Sequence, residues 1–239
     1  VSYSSGRVRK TVMTTADPDL TRVPRSLPRG RSHLPREVVL VSQRERLIEA
    51  AVKVVGTTGY ADATVGDIIK AARVSRTTFY EQFRDKEACF IGAFEQESQV
   101  QYERVHAVAK QAATTVGRIQ AGVRAYLESL AADPMYARVS LVEVLAAGPE
   151  AAASRDSLHV RYVSLLRKWH ADVRAENELV PEMPDEVFNC AVGGVDDLLA
   201  ARLRSDGSGR LPALAPVIVT FLLNVTAVPA GRDLAAALS

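Results

Sequence analysis

Cysteine and histidine are scarce in this chain, and each shortage excludes something. Of 239 residues only two are cysteines, Cys89 and Cys190, far apart in sequence and outside any CxxC or Cys/His cluster. That excludes a disulfide framework and a zinc site of the usual spacing, and both are expected as reduced thiols. The four histidines, His33, His106, His159 and His170, are scattered. No nucleophile–base pair, glycine-rich phosphate loop or metal-ligand cluster is visible, so the chain reads as a non-enzyme with no cofactor and no metal. The arginine-rich N-terminal stretch has no apolar core segment and does not read as a signal peptide. A cytoplasmic protein is expected. Internal repeats are absent, and strand-like alternation is not sustained anywhere, which leaves an all-α fold.

What is present is ordinary in bulk and uneven in charge. Hydrophobic residues make up 47% and charged residues 24%, enough apolar material for a core and too much for a chain disordered throughout. The net charge of +2 hides an asymmetry. Residues 1–86 carry 16 Lys/Arg against 9 Asp/Glu, or +7, and residues 87–239 carry 14 against 19, or −5. A basic first third suits a polyanion; an exposed basic tail without a partner gives the same count.

Residues 1–42 show no helical or strand period. Pro18, Pro24, Pro28 and Pro35 interrupt them, and they read as an extended or disordered arm. From Gln43 the pattern changes: Leu47, Ala51, Val54 and Val55 recur at helical spacing until Gly56 and Gly59. Beyond residue 86 the expected helices run over 86–112, 115–131, 134–147, 150–176, 185–204 and 211–227. They are separated by Asp133-Pro134, Gly148-Pro149, Pro181 with Pro184, and the Ser205–Gly209 stretch.

The most informative run is TVGDIIKAARVSRTTFYEQFRDKEACF, residues 64–90. Thr64 can cap a short helix, with Asp67 completing a capping box. Val65, Ile68, Ile69 and Ala72 form one apolar face, and Ala71 and Ala72 permit close helix approach. After the turn Ala72-Arg73-Val74, Ser75 caps a second helix that buries Phe79 and Phe83 and presents Arg76, Thr77, Thr78 and Tyr80 outward. Two short helices joined by a three-residue turn match a helix-turn-helix, whose second helix enters the major groove. Arg76 can address a guanine edge, and Thr77 and Thr78 a base or phosphate. Tyr80 can bond a phosphate through its hydroxyl. Lys86 opens the next helix, where the dipole disfavours a cation, and a nearby phosphate would offset that cost. The competing reading is a plain helical hairpin in a core.

Residues 43–90 resemble the DNA-binding domain of the TetR family, through Val74-Ser75-Arg76-Thr77-Thr78-Phe79-Tyr80 with Phe83 and Lys86-Glu87. The resemblance implies a three-helix head over 43–90 and a larger helical domain over 91–239 for ligand binding and dimerisation. The function implied is that of a cytoplasmic, nucleoid-associated regulator, a repressor released from a palindromic double-stranded operator by a small molecule. It also implies that Thr64, Ser75, Thr77, Thr78, Tyr80 and Lys86 lie near DNA. Family members commonly have Gly where Arg73 stands. If that position needs positive φ, Arg costs about 1 kcal/mol there, though Arg73 could serve as a phosphate contact. Ahead of the head, Arg29-Gly30-Arg31 could lie in a narrow A·T-rich minor groove or act as a disordered tail that adds general attraction.

In the second part, Val187, Cys190, Ala191, Gly194, Val195, Leu198 and Leu199 form an amphipathic stripe, weakened at its middle by Gly193-Gly194. Residues 211–228 carry no charge and are apolar on every side, as a helix buried all round would be. Two copies of these helices would form a dimer interface using Cys190, Gly194, Leu198, Val217, Phe221 and Leu222. A monomer core helix is the alternative; Pro212, Pro216 and Asn224 make a membrane span poor. His159, Tyr162, Trp169 and His170, with Tyr126, Met135 and Tyr136, line either a small-molecule cavity or a core.

Overall fold

The computed structural model describes residues 35–226; Arg29 and Arg31 lie outside them. Two units are distinguished, 1–42 and 43–239. Of the first, the described residues begin the helix α1, Arg36–Thr58. Helix therefore starts seven residues before the apolar period does. Val38-Val39-Leu40-Val41 carries no 3.6-residue period, yet helix nucleated downstream extends at little cost back to Pro35, a residue tolerated at a helix start.

Every element described is helical. After α1 come α2 (Val65–Ala72), α3 (Arg76–Gln82), α4 (Lys86–Lys110), α5 (Thr115–Ala132) and α6 (Pro134–Arg138). A π-turn over Val139–Glu143 leads into α7 (Val144–Ala146), followed by α8 (Pro149–Glu176) and α9 (Asp185–Asp206). A 3-10 helix, Ser208–Leu214, leads into α10 (Ala215–Val225).

The expected breaks fall where the chain turns. Asp133 caps α6 by accepting from the Tyr136 N–H at 2.9 Å, with Pro134 at the first helical position. Two expectations need correction. The segment 134–147 is not one regular helix, because the π-turn interrupts it. The segment 211–227 is α-helical only from Ala215, because Pro212 holds the preceding turns in the 3-10 form. By length and composition Ser208–Val225 could cross a membrane. Here Leu211, Leu214, Ile218, Val219, Leu222 and Leu223 are buried in the core.

The head is built on α1. Leu47, Ala51 and Val55 share one buried face of it, and Ile68, Ala72, Phe79 and Phe83 close over that face. Phe79 is fully buried and meets Phe83 at 6.0 Å between ring centroids. In the larger part α5 lies at the centre, packed against α4, α8, α10 and the 3-10 helix.

Gly56 is not the end of α1. It sits inside the last turn because a Cβ there would come within 2.7 Å of the Met135 Cβ, so α6 can approach only a glycine. Gly59, at φ +89°, ends the helix; its N–H reaches the Val55 carbonyl at 2.8 Å.

Candidate functional site

The reading helix is assembled by local hydrogen bonds. Thr64 Oγ1 accepts from the Asp67 N–H at 3.2 Å, and Asp67 Oδ2 accepts from the Thr64 N–H at 3.2 Å. This is the capping box that the spacing predicts. The Thr64 hydroxyl also donates to Asp67 Oδ2 at 2.5 Å, and this bond first, with that from the Thr64 N–H second, holds the Asp67 carboxyl below its usual range. Ser75 Oγ accepts from the Thr78 N–H at 3.0 Å and lies 2.9 Å from the Thr78 hydroxyl. Thr78 is thus partly engaged in the cap. Arg76, Thr77 and Tyr80 are exposed on one side of α3, with Phe79 beneath them. The Arg76 guanidinium stands 5.7 Å from the Tyr80 ring centre.

Arg73 has φ 54° and ψ 46°, the left-handed conformation that favours glycine. Among the described residues it is the one non-glycine with positive φ. Its side chain is exposed, so nothing within the subunit repays a strain of about 1 kcal/mol. We expect Arg73→Gly to raise the unfolding free energy by about 0.5–1 kcal/mol. If Arg73 meets a phosphate, the same change lowers the salt slope of DNA binding by about one. Urea denaturation and titrations at several salt concentrations check both, and a less stable variant would contradict the strain.

Lys86 does not wait for a phosphate. Its Nζ donates to the Tyr60 carbonyl at 2.8 Å and the Ala63 carbonyl at 3.0 Å, and lies 4.2 Å from the Tyr60 ring centre. These partners offset the dipole cost at the start of α4. They also fasten the loop between α1 and α2, leaving one of three ammonium protons for any further acceptor. Two side chains absent from the sequence expectations, Glu143 and Arg138, join the head to the rest. Glu143 Oε2 accepts from the Tyr60 N–H at 2.8 Å, and Glu143 Oε1 from Arg138 Nε at 2.9 Å. Arg138 Nη1 donates to the Thr57 carbonyl at 3.2 Å. In an α-helix, positions five apart point about 140° away from each other. The wider π-turn brings Arg138 and Glu143 to the same side. A Glu on an irregular turn carries no periodic signal in sequence.

The larger part contains two adjoining cavities. The first, about 80 Å³, is apolar and is lined by Val105, Leu127, Leu165, Trp169, Ile218 and Leu222 among others. The second, about 180 Å³, is more polar, with Gln101, Ser140, Arg155, His159, Asp197 and Arg204 in its wall. Tyr126, Tyr162 and Asp196 line both. The two tyrosine rings meet edge to face at 5.5 Å. Burial first of all pushes both phenols well above the ordinary value, and the Asp196 charge adds to it, so both stay protonated.

The expected ligand residues therefore divide. Tyr126, His159, Tyr162 and Trp169 line a cavity. The other three do not. Tyr136 is buried with its hydroxyl 2.9 Å from Ser98 Oγ. Met135 packs on Gly56, and its sulfur accepts from Thr57 Oγ1 at 3.5 Å. His170 Nε2 lies 3.1 Å from the Pro181 carbonyl. The expected interface residues divide too. Leu222 is buried within its own subunit, in the wall of the apolar cavity. Val217 and Phe221 are exposed by 59% and 39%, and Cys190 and Gly194 are exposed on α9 with Leu198 half-buried. Open space lies before Gly194. Cys89 is fully buried, and burial pushes its thiol up to about 12, which leaves it inert.

Residues 47–93 match the family model of the bacterial regulatory proteins, tetR family. The head, over residues 47–93, is of the tetR-family type. With that head the chain is a DNA-binding transcriptional regulator, and the relatives it resembles are named as regulators too. It is 29% identical over 167 residues to the HTH-type transcriptional regulator EthR of Mycolicibacterium smegmatis, covering 68% of each chain. It is 27% identical over 180 residues to the fatty acid metabolism regulator protein of Bacillus subtilis, covering 75% of this chain and 93% of that one. Among solved structures, the fatty acid degradation regulator FadR of Bacillus halodurans superposes with a TM-score of 0.69 at 24% identity, covering 76% of this chain and 94% of that one. FadR of Bacillus subtilis in complex with stearoyl-CoA gives a TM-score of 0.69 at 22% identity, with coverage of 76% and 98%. These structures share the fold of this chain: a helix-turn-helix head and a larger helical body.

Proposed function

We propose that this chain is a cytoplasmic repressor of the TetR family that binds a palindromic operator as a homodimer and is released by a small molecule bearing an acyl chain. Residues 43–90 read the DNA and residues 91–239 hold the effector and the partner subunit. Arg29 and Arg31, in the arm 1–42, add contacts beside the operator.

The observation that carries the reading is the apolar cavity between α5, α8, α9 and α10. It is walled by branched side chains and Trp169 and opens, across Tyr126 and Tyr162, onto polar groups. Such a space suits a hydrocarbon tail with a polar end. A relative of the same fold was solved with stearoyl-CoA, which supports an acyl ligand here. The polar cavity includes Ser140, Leu141 and Val142 of the π-turn whose Glu143 holds Tyr60 of the head. Filling that cavity displaces the turn, and the head moves with Glu143. That differential contact between two states is what coupling requires.

DNA recognition rests on Arg76, Thr77 and Tyr80, with Thr78, Ser75 and Thr64 setting the helix in place. Binding-site selection with the full-length protein should return a palindrome. Arg76→Ala should relax one base position in each half-site, at about 1–3 kcal/mol if the contact is bidentate to guanine. Stearoyl-CoA should release the selected duplex and alter the emission of Trp169, the chain's one tryptophan. A duplex retained at saturating stearoyl-CoA, with unchanged emission, would remove the acyl-effector reading.

A further inference from the structure

We infer that Asp196 is the specificity-determining residue of the effector site, and that it selects an acyl group ending in an uncharged hydrogen-bond donor over a free carboxylate. The inference rests on the effector reading above. Among the described residues, Asp196 is the one charged side chain in the wall of the apolar cavity. It also lines the polar cavity, so it stands where a tail lying in the first must present its polar end to the second.

The hydrogen-bonding groups at this junction are not saturated. Asp196 Oδ2 accepts from Arg155 Nη2 at 3.2 Å, which occupies one of about four acceptor positions on a carboxylate. The Tyr162 hydroxyl is buried with no hydrogen-bond partner among the described residues. His159 Nδ1 is likewise unpartnered, 3.9 Å from Asp196 Oδ2. Buried polar atoms left unpaired in this way are costly unless a ligand completes them. The set asks for a group that donates to Asp196 and accepts from Tyr162, which a primary or secondary amide does with its N–H and C=O.

A free carboxylate meets the opposite situation. It has acceptors only, and Asp196 would face it with a like charge at the mouth of an apolar space, where the effective dielectric is low. Arg155 does not cancel this, because Asp196 and Asp156 already share its guanidinium, at 3.2 Å and 3.6 Å. Replacing Asp196 by Asn removes the like charge, adds donors and releases Arg155 towards an anion.

Decanamide and decanoate test this. They have nearly the same shape and differ at pH 7.5 in charge and in donor capacity. The readout is the fluorescence of Trp169, which lines the apolar cavity, titrated on the full chain without DNA. Wild type should bind decanamide at least tenfold more tightly than decanoate. Asp196→Asn should bind decanoate at least tenfold more tightly than wild type does, so that the preference shrinks or reverses. Glu186→Gln, an exposed position on α9 that lines neither cavity, should keep the wild-type ratio. Thermal unfolding by circular dichroism identifies an Asp196→Asn protein that is misfolded; Asp196→Glu, which keeps the charge, must then still prefer the amide. Equal or stronger binding of decanoate by wild type overturns the inference and leaves the effector reading standing. So does an amide preference that Asp196→Asn leaves unchanged. Failure of both probes to saturate a Trp169 signal overturns the effector reading itself, and this inference with it.

Discussion

Phe221→Asp should convert a dimer into a folded monomer that no longer binds a palindrome tightly, whereas Leu222→Asp should unfold the larger part. The two residues are adjacent on α10, yet Phe221 is 39% exposed and Leu222 is 6% exposed. Val217 and Phe221, four apart, share the outward side of α10, and Cys190 and Gly194 do the same on α9. Gly194 leaves open space in front of the α9 backbone, into which a symmetry mate can pack closely. A helix-turn-helix reads few base pairs, so tight binding needs two heads held by symmetry. A charge at position 221 would be buried against the partner subunit at a cost of several kcal/mol, felt in association and not in the fold. At position 222 the same charge enters the wall of the apolar cavity. Sedimentation at micromolar concentration separates the cases: Phe221→Asp should run as a monomer with an unchanged helical spectrum. A Phe221→Asp protein that remains a dimer would place the interface elsewhere. In the wild-type dimer, Cys190 should also react slowly with a thiol reagent, and Cys89 should not react in either state.

The second large effect is expected at Glu143. Its carboxylate is nearly buried and accepts from both the Tyr60 N–H and Arg138 Nε. Glu143→Ala leaves a backbone donor and a guanidinium without their acceptor. Hydrogen bonds to charged groups contribute about 1.5–3 kcal/mol each. Arg138 is 42% exposed and can turn to water, so its share is discounted, and a loss of about 2–3 kcal/mol in stability is expected. The greater effect should fall on regulation. Without Glu143 the π-turn no longer grips the end of α1, so effector binding should persist by Trp169 fluorescence while release of the duplex fails. Glu143→Gln keeps the Tyr60 contact and should retain most of the coupling. Full release by effector in Glu143→Ala would show that the motion reaches the head by another route, α4 being the continuous alternative.

The helix-turn-helix was legible in sequence because its determinants are local. A capping hydroxyl finds its N–H three residues ahead whatever the rest of the chain does, so Thr64 with Asp67, and Ser75 with Thr78, behave as their spacing predicts. The left-handed conformation of Arg73 was signalled only by the glycine that the TetR family commonly carries there, through the resemblance. Phe79 takes the buried side of α3, whereas Phe83, expected on the same helix, is the extended residue that ends it and is buried from there.

Only the tertiary structure decided matters that depend on which way a helix faces. In α10 apolar residues occupy every side, so periodicity carries no signal. Neighbouring positions differ by about 100° around the axis, and only the packing of α10 against α5 and α9 sends Leu222 inward and Phe221 outward. The ligand candidates sorted for the same reason: Tyr126, Tyr162 and Trp169 face the cavities, while Tyr136, Met135 and His170 are taken up by Ser98, Gly56 and Pro181. The partners of Lys86 and Glu143 lie 26 and 83 residues away, at Tyr60. Local pattern fixed the elements and their caps; contacts across such separations form only when those elements have been packed together.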